Sequence, residues 1–101
     1  MSAIDLRLMA KGVPTDVSIA SLTGSAQLLV AKNTIQRFIE IVNIGSANVG
    51  LSFTTTTPVI GQANTITILP GSEWTSPIHF IPIADFYVIG TSGQPLTCWY
   101  Y

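Results

Sequence analysis

The chain has 101 residues, of which 48% are hydrophobic and only 9% are charged, and its formal net charge is −1. This composition argues against intrinsic disorder, and the four scattered basic residues argue against binding to a nucleic-acid backbone. No window contains the ~18 consecutive apolar residues of a membrane-spanning helix. We therefore expect one folded domain whose partners include neither nucleic acid nor a membrane.

The scarcity of charge is the most unusual property of the chain, because ordinary soluble domains carry about 25% charged residues. Serine and threonine replace the missing charges, including a run over residues 54–57. A protein that stays monomeric in a crowded cell generally needs charge to remain soluble. The composition therefore favours a protein that ends up in contact with other proteins, over a secreted or simply low-charge domain.

The chain has one cysteine, no Asn-X-Ser/Thr sequon and no long apolar core of a signal peptide near its first residue. A single cysteine cannot form an internal disulfide, and these features are typical of a protein made in a reducing compartment. We therefore expect synthesis and folding in a reducing cytoplasm.

Residues 1–15 hold a third of the charges and show no regular period, and we predict an extended N-terminal arm that precedes a domain over residues 16–101. One short strand is indicated within the arm, because apolar and other side chains alternate. The alternating sets are Ile4, Leu6 and Leu8 against Asp5, Arg7 and Met9.

From Asp16 onward, short β-prone runs alternate with turn residues at intervals of about 8 to 12 residues. The runs are VSIASL, AQLLVA, TIQRFIEIVNI, VGLSF, TITIL, EWTSPIHFIPI, DFYVIG and PLTCWYY. No segment of useful length has a helical period. The pattern predicts an all-β fold, an antiparallel β-sandwich or jelly roll of seven to eight strands.

Several elements of this pattern carry more specific expectations. The longest run, residues 34–44, is largely apolar on both faces and is predicted to be a central strand. Pro77 and Pro82 confine the run that begins at Glu73 to an edge or a bulge. The turn sequences at residues 45–48 and 91–94 are predicted to close β-hairpins.

The sequence offers no catalytic constellation, and we expect neither an enzyme nor a bound cofactor or metal. A protein metal site usually takes three or four ligands. His79 is the only histidine, and the sequence has no ligand spacing that indicates further metal ligands beside it. His79 is interpreted as a half-exposed strand residue. Cys98 would be a nucleophile only beside His79, and the apolar residues around it favour a buried structural role.

The chain ends in Cys98, Trp99, Tyr100 and Tyr101, although chain ends usually fray. We expect Trp99 to pack inward and the two tyrosines to face a neighbouring subunit, because tyrosine is enriched at interfaces. Arg37 either reaches water or forms an ion pair between subunits. The candidate interface residues are Leu6, Leu8, Met9, Arg37, Tyr100 and Tyr101.

An alternative function for the aromatic side chains is sugar binding, since small β-sandwiches bind glycans with exposed aromatics and a few amides or carboxylates. The aromatic residues in question are Trp74, Trp99, Tyr100 and Tyr101. The opposing interpretation is that both tryptophans fill the core while the tyrosines face a neighbouring chain.

Five sequence features within residues 34–101 occur together in a known family. They are Arg37 opening a strand, the Ile39-x-Ile41-x-Asn43 step, a Gly-Ser turn, the Val49-x-Leu51-x-Phe53 strand and the Leu69-Pro70-Gly71 turn. In these features the chain resembles small virion structural proteins of tailed bacteriophages, many of which are head decoration or cement proteins.

The resemblance implies a β-sandwich or jelly-roll virion protein that binds non-covalently to the major capsid protein, as a homotrimer, and stabilises the head. It transfers no catalytic residues. The arm over residues 1–15 would become ordered on binding. A tail or baseplate component is the alternative within the same family of folds, and a small glycan-binding module is the alternative outside it.

Overall fold

The computed structural model describes residues 13–54, 56–77 and 83–101, and these residues form eight β-strands. The strands are β1 Thr15–Asp16, β2 Gln27–Val30, β3 Ile39–Val42, β4 Val49–Ser52, β5 Ile66–Ile68, β6 Glu73–Thr75, β7 Phe86–Gly90 and β8 Thr97–Tyr100. The described residues contain no helix, and hence none long and apolar enough to cross a membrane. The prediction of an all-β fold with seven to eight strands is confirmed, and the described residues form eight.

The strands form two antiparallel four-stranded sheets, with the order β1-β8-β3-β6 in the first sheet and β2-β7-β4-β5 in the second. The pairs β1–β8, β2–β7, β3–β6 and β4–β5 are those of one long antiparallel ribbon folded in half. Rolling that ribbon up adds the pairs β3–β8 and β4–β7. The fold is therefore a jelly roll.

The prediction of hairpins at residues 45–48 and 91–94 is wrong. The first of these turns joins β3 to β4 and the second joins β7 to β8, and each pair of strands is divided between the two sheets. Both turns contain glycine and serine, which favour reversal of the chain, but reversal alone does not determine which sheet receives the next strand. Among consecutive described strands, only β4 and β5 pair with each other.

The core lies between the sheets and is built from the alternate side chains of the inner strands. In β3, Ile39 and Ile41 are fully buried while the residues after them are half-buried. This strand lies between β8 and β6, so the prediction of a central strand is confirmed. It is shorter than the predicted run, because the backbone N–H groups of residues 36–38 bond to the end of the chain instead of to a neighbouring strand.

Three aromatic rings join the two sheets. Phe53 stacks on Trp74 with ring centroids 5.5 Å apart and lies 5.3 Å from Phe86. Trp74 belongs to β6, which is an edge strand of the first sheet, as the prolines predicted. Trp74 packs against the buried cluster, which agrees with the core interpretation of this residue.

Candidate interaction surface

The C-terminal strand β8 lies inside the first sheet, between β1 and β3. Cys98 is opposite Ile41 and Tyr100 is opposite Ile39, and both pairs face the core. Because side chains alternate along a strand, Trp99 points away from the core. The prediction that Trp99 packs inward is therefore wrong, because Cys98 and Tyr100 occupy the inward positions of this strand.

The end of the chain is bonded to its own domain. The main-chain oxygen of Tyr101 accepts hydrogen bonds from the backbone N–H groups of Gln36, Arg37 and Phe38, at 3.1, 2.5 and 3.1 Å. The Tyr101 N–H in turn donates to the Phe38 carbonyl at 3.0 Å. Successive N–H groups that converge on one oxygen form a concave site with positive partial charge. The last strand is thereby held in register with the residues that precede β3.

A shallow groove of about 230 Å³ lies beside this anchored end. It is lined by uncharged side chains that present hydroxyl, amide and aromatic groups, namely Val13, Thr15, Thr34, Gln36, Tyr100 and Tyr101. Val13 is highly exposed at the edge of this groove. We call this surface the C-terminal groove.

Three of the predicted interface residues are brought together here. Tyr100 and Tyr101 line the C-terminal groove, and Arg37 is exposed immediately beside it, bonded through its backbone to Tyr101. Tyr100 is half-buried because one side of its ring packs against the core. The other three predicted residues, Leu6, Leu8 and Met9, lie outside the described residues.

The sequence interpretation missed four residues of the groove. Val13 and Thr15 were placed in the N-terminal arm without a contact role, and a long strand was assigned to Thr34 and Gln36. Both are exposed and precede β3 in the connection that carries the hydrogen bonds to Tyr101. The available signal was weak, because the same run also has polar side chains at Arg37, Glu40 and Asn43.

The outer face of the first sheet carries Trp99 between two carboxylates. Asp16 of β1 and Glu40 of β3 are its direct neighbours across the sheet. The Ser18 side chain and the Ser18 backbone N–H, which donates to Asp16 at 2.9 Å, hold the pKa of Asp16 below its ordinary value. Asp16 is therefore ionised at neutral pH, and Trp99 is flanked by negative charge on that side.

Cys98 is not built for nucleophilic chemistry. Its side chain is fully buried, and burial, followed by the negative charge of Asp16, raises the pKa of the thiol to about 12. The thiol is protonated at neutral pH, so the core interpretation of Cys98 is confirmed. His79 lies outside the described residues. Within the parts of the chain that the structure describes, no three His, Cys, Asp or Glu side chains are grouped so as to hold a metal ion.

Comparison with known proteins identifies no family for this chain. No protein-family model matches the chain, and no curated protein matches it. The chain is similar to a solved structure of Bacillus endospore appendages, described as a novel family of disulfide-linked pili, at 20% identity and a TM-score of 0.49. The similarity covers 89% of this chain and 87% of that one.

Proposed function

We propose that the chain is a structural protein of a tailed-phage virion, made in the host cytoplasm, that decorates the head as a homotrimer bound to the major capsid protein. The observation that carries the proposal is a jelly roll with only 9% charged residues whose C-terminal groove is lined entirely by uncharged side chains. Such a surface is suited to contact with protein rather than to exposure as a free monomer.

The proposed mechanism is stabilisation by mass action. A protein that binds assembled coat subunits but not free ones shifts the equilibrium toward the assembled particle, with no chemical step. The C-terminal groove would supply a rigid contact, because Tyr101 is anchored to residues 36–38 on its own domain. The residues of the N-terminal arm that precede β1 would add contacts to the coat, at a cost of about 1–2 kcal/mol per ordered residue in lost backbone freedom.

Co-sedimentation tests this function. The full chain is mixed with empty shells assembled from the coat protein encoded in the same genome, and separately with unassembled coat subunits. We expect saturable binding to shells only, weakened by Tyr101→Ala and by deletion of residues 1–14. Val59→Ala, a change at a half-exposed residue in the β4–β5 connection, is the control and should bind normally. Failure to bind shells, or equal binding to free subunits, would contradict the proposal.

If the chain binds the tail or baseplate of the virion instead of the head, it is a tail or baseplate component and not a head decoration protein. Immunogold labelling of intact particles separates the two positions, because a head protein labels the capsid surface and a tail or baseplate component labels the tail. We expect label on the head.

A second candidate function, glycan binding, is favoured by the position of Trp99 between Asp16 and Glu40 on the outer face of the first sheet. An aromatic ring with hydrogen-bond acceptors on both sides is the arrangement on which a sugar ring stacks. A glycan array with the full chain and with Trp99→Ala tests it. Specific binding by the full chain that Trp99→Ala abolishes would favour this function over head decoration.

A further inference from the structure

Four strand connections meet at the end of the molecule opposite the C-terminal groove. They are the β1–β2, β3–β4, β5–β6 and β7–β8 connections, and we call the surface they form the loop end. None of residues 20–26, 43–48, 69–72 and 91–96 is charged. The nearest charge in sequence, Glu73, begins β6 on the outer face of the first sheet.

The opposite end of the molecule is different. Lys32 and Arg37 lie in the β2–β3 connection, and Asp85 precedes β7. The Lys32 N–H donates to the Asp85 carboxylate at 2.6 Å, which places these connections together. The two ends of the jelly roll therefore differ in charge, and the loop end is the neutral one.

Hydrogen bonds between connections make the loop end rigid. The Leu22 N–H donates to the Gln94 carbonyl at 2.8 Å, and the Gly93 N–H donates to the Leu22 carbonyl at 2.9 Å. The Gln94 side-chain Oε1 accepts from the Ser46 N–H at 2.7 Å. These bonds join three of the four connections into one surface.

Asn43 attaches the fourth connection. Its N–H donates to the Ser72 carbonyl at 2.9 Å, and its own carbonyl accepts from the Gly71 N–H at 2.8 Å. The buried side-chain Nδ2 donates to the Ala47 and Ile68 carbonyls, both at 2.8 Å. A surface held in this way loses little conformational freedom when it binds a partner.

Two large apolar side chains project from this rigid neutral surface. Ile44 is 56% exposed and Leu69 is 55% exposed. Each is the immediate neighbour of a bonded residue, since Ile44 follows Asn43 and Leu69 follows Ile68. Apolar anchors on a pre-organised surface, surrounded by polar uncharged residues, are typical of the centre of a protein interface.

We infer that the loop end is the surface through which copies of this chain contact one another around their symmetry axis. Residues near a symmetry axis face their own equivalents, so any charge placed there meets the same charge on the other copies. The loop end satisfies this condition because it carries none. The inference rests on the homo-oligomer named in the proposed function and assigns its contact surface.

Charge also argues against the alternative in which copies stack end to end. In that arrangement the loop end of one copy would cover Lys32, Arg37 and Asp85 of the next. Lys32 and Arg37 are exposed and Asp85 is half-buried, and their charged groups would lose water without gaining an opposite charge from the neutral surface, which is unfavourable. Among the described surfaces of this chain, the best match for the loop end is therefore the loop end of another copy.

Cysteine cross-linking of the full chain tests the inference. Cys98 is buried and protonated, so an introduced surface cysteine is the reactive thiol. Ile44→Cys and Leu69→Cys should each give a disulfide-linked pair of chains on mild oxidation, seen on a non-reducing gel. Val59→Cys, at a residue of similar exposure in the β4–β5 connection, should not. Equal cross-linking at all three positions, or none at residues 44 and 69, would overturn the inference.

A second pair of variants tests the same contact without oxidation. The double variant Ile44→Lys/Leu69→Lys places like charges at the axis and should reduce the mass in solution to the 10.8 kDa of one chain. Val59→Lys should leave the oligomer intact. The wild-type mass should not change between about 50 mM and about 500 mM salt, because no charges face each other. An oligomer that survives the double variant would overturn the inference.

These outcomes are distinct from failure of the proposed function. Loss of shell binding with cross-linking preserved at residues 44 and 69 would contradict head decoration and support the contact between copies. A wild-type monomer whose shell binding is abolished by the double variant would assign the loop end to coat protein, and the inference would be wrong.

Discussion

The main-chain oxygen of Tyr101 accepts a hydrogen bond of 2.5 Å from the backbone N–H of Arg37, with a further N–H on either side of it in sequence. This contact closes the first sheet at the point where β8 ends and β3 is about to begin. The aromatic C-terminal segment therefore contacts its own domain first. Only the exposed parts of its side chains remain for a neighbouring chain.

Ending the chain at Tyr100 should destabilise the domain, because three backbone N–H groups lose their shared acceptor. We expect the free energy of unfolding to fall by about 1–3 kcal/mol, measured by urea denaturation. Tyr101→Ala is the matched control, since it keeps the main-chain oxygen and should cost clearly less. Equal losses for both changes would show that the Tyr101 ring, rather than its backbone, holds the end.

Asn43→Ala should be one of the more damaging polar substitutions in the chain. The buried side chain donates to two carbonyls and accepts from the Gly45 N–H at 3.0 Å, so its removal leaves all three groups without their partner. We expect a loss of about 2–3 kcal/mol by thermal or urea unfolding. Asn48→Ala, at an exposed position in the same connection, should change stability by no more than about 0.5 kcal/mol. A loss of only about 0.5 kcal/mol for Asn43→Ala would contradict the importance of these hydrogen bonds.

Stability should decline in alkali because of Cys98. The folded-state pKa is raised to about 12 from an ordinary value of 9.0, so the contribution is complete below pH 9.0 and is lost as pH rises toward 12. Over that range the unfolded chain releases a proton that the folded chain keeps, which lowers the unfolding free energy by at most about 1.4 kcal/mol per pH unit. Cys98→Ala is the control, because this variant lacks the thiol but keeps every other titratable group of the wild-type chain. Parallel pH profiles for the two proteins would contradict the burial of the thiol.

Ile41→Ala should be far more damaging than Arg37→Ala, although the two residues are close in sequence. Ile41 is fully buried opposite Cys98, and truncation of such a side chain costs ~2–5 kcal/mol. Arg37 is exposed and contributes its backbone to the Tyr101 contact, which alanine retains. Urea denaturation of the two variants measures the difference, and equal losses would be inconsistent with this arrangement.

The position of a strand in its sheet could be predicted where the sequence indicates clearly which side chains are buried or which backbone groups cannot pair. Ile39 and Ile41 alternate with less buried residues, and the prolines after β6 predicted an edge strand, as observed. The pairing of strands was not predictable in the same way. Turn residues reverse the chain whether the next strand joins the same sheet or crosses to the other, and in this jelly roll most connections cross.

The candidate surfaces were only partly predictable, for a physical reason that Trp99 illustrates. Its size suggested a core position, but the phase of β8 places the smaller Cys98 inward and Trp99 outward between Asp16 and Glu40. In a four-residue strand with apolar residues at both phases, composition does not determine the phase. The loop end was also missed, because its neutrality emerges only when four separate connections are brought together.

Sedimentation equilibrium of the full-length wild-type chain at neutral pH tests the central claim, that so weakly charged a jelly roll exists as an assembly. The account predicts a mass three times the 10.8 kDa of one chain, unchanged by added salt. A mass of 10.8 kDa that persists as the protein is concentrated would contradict it.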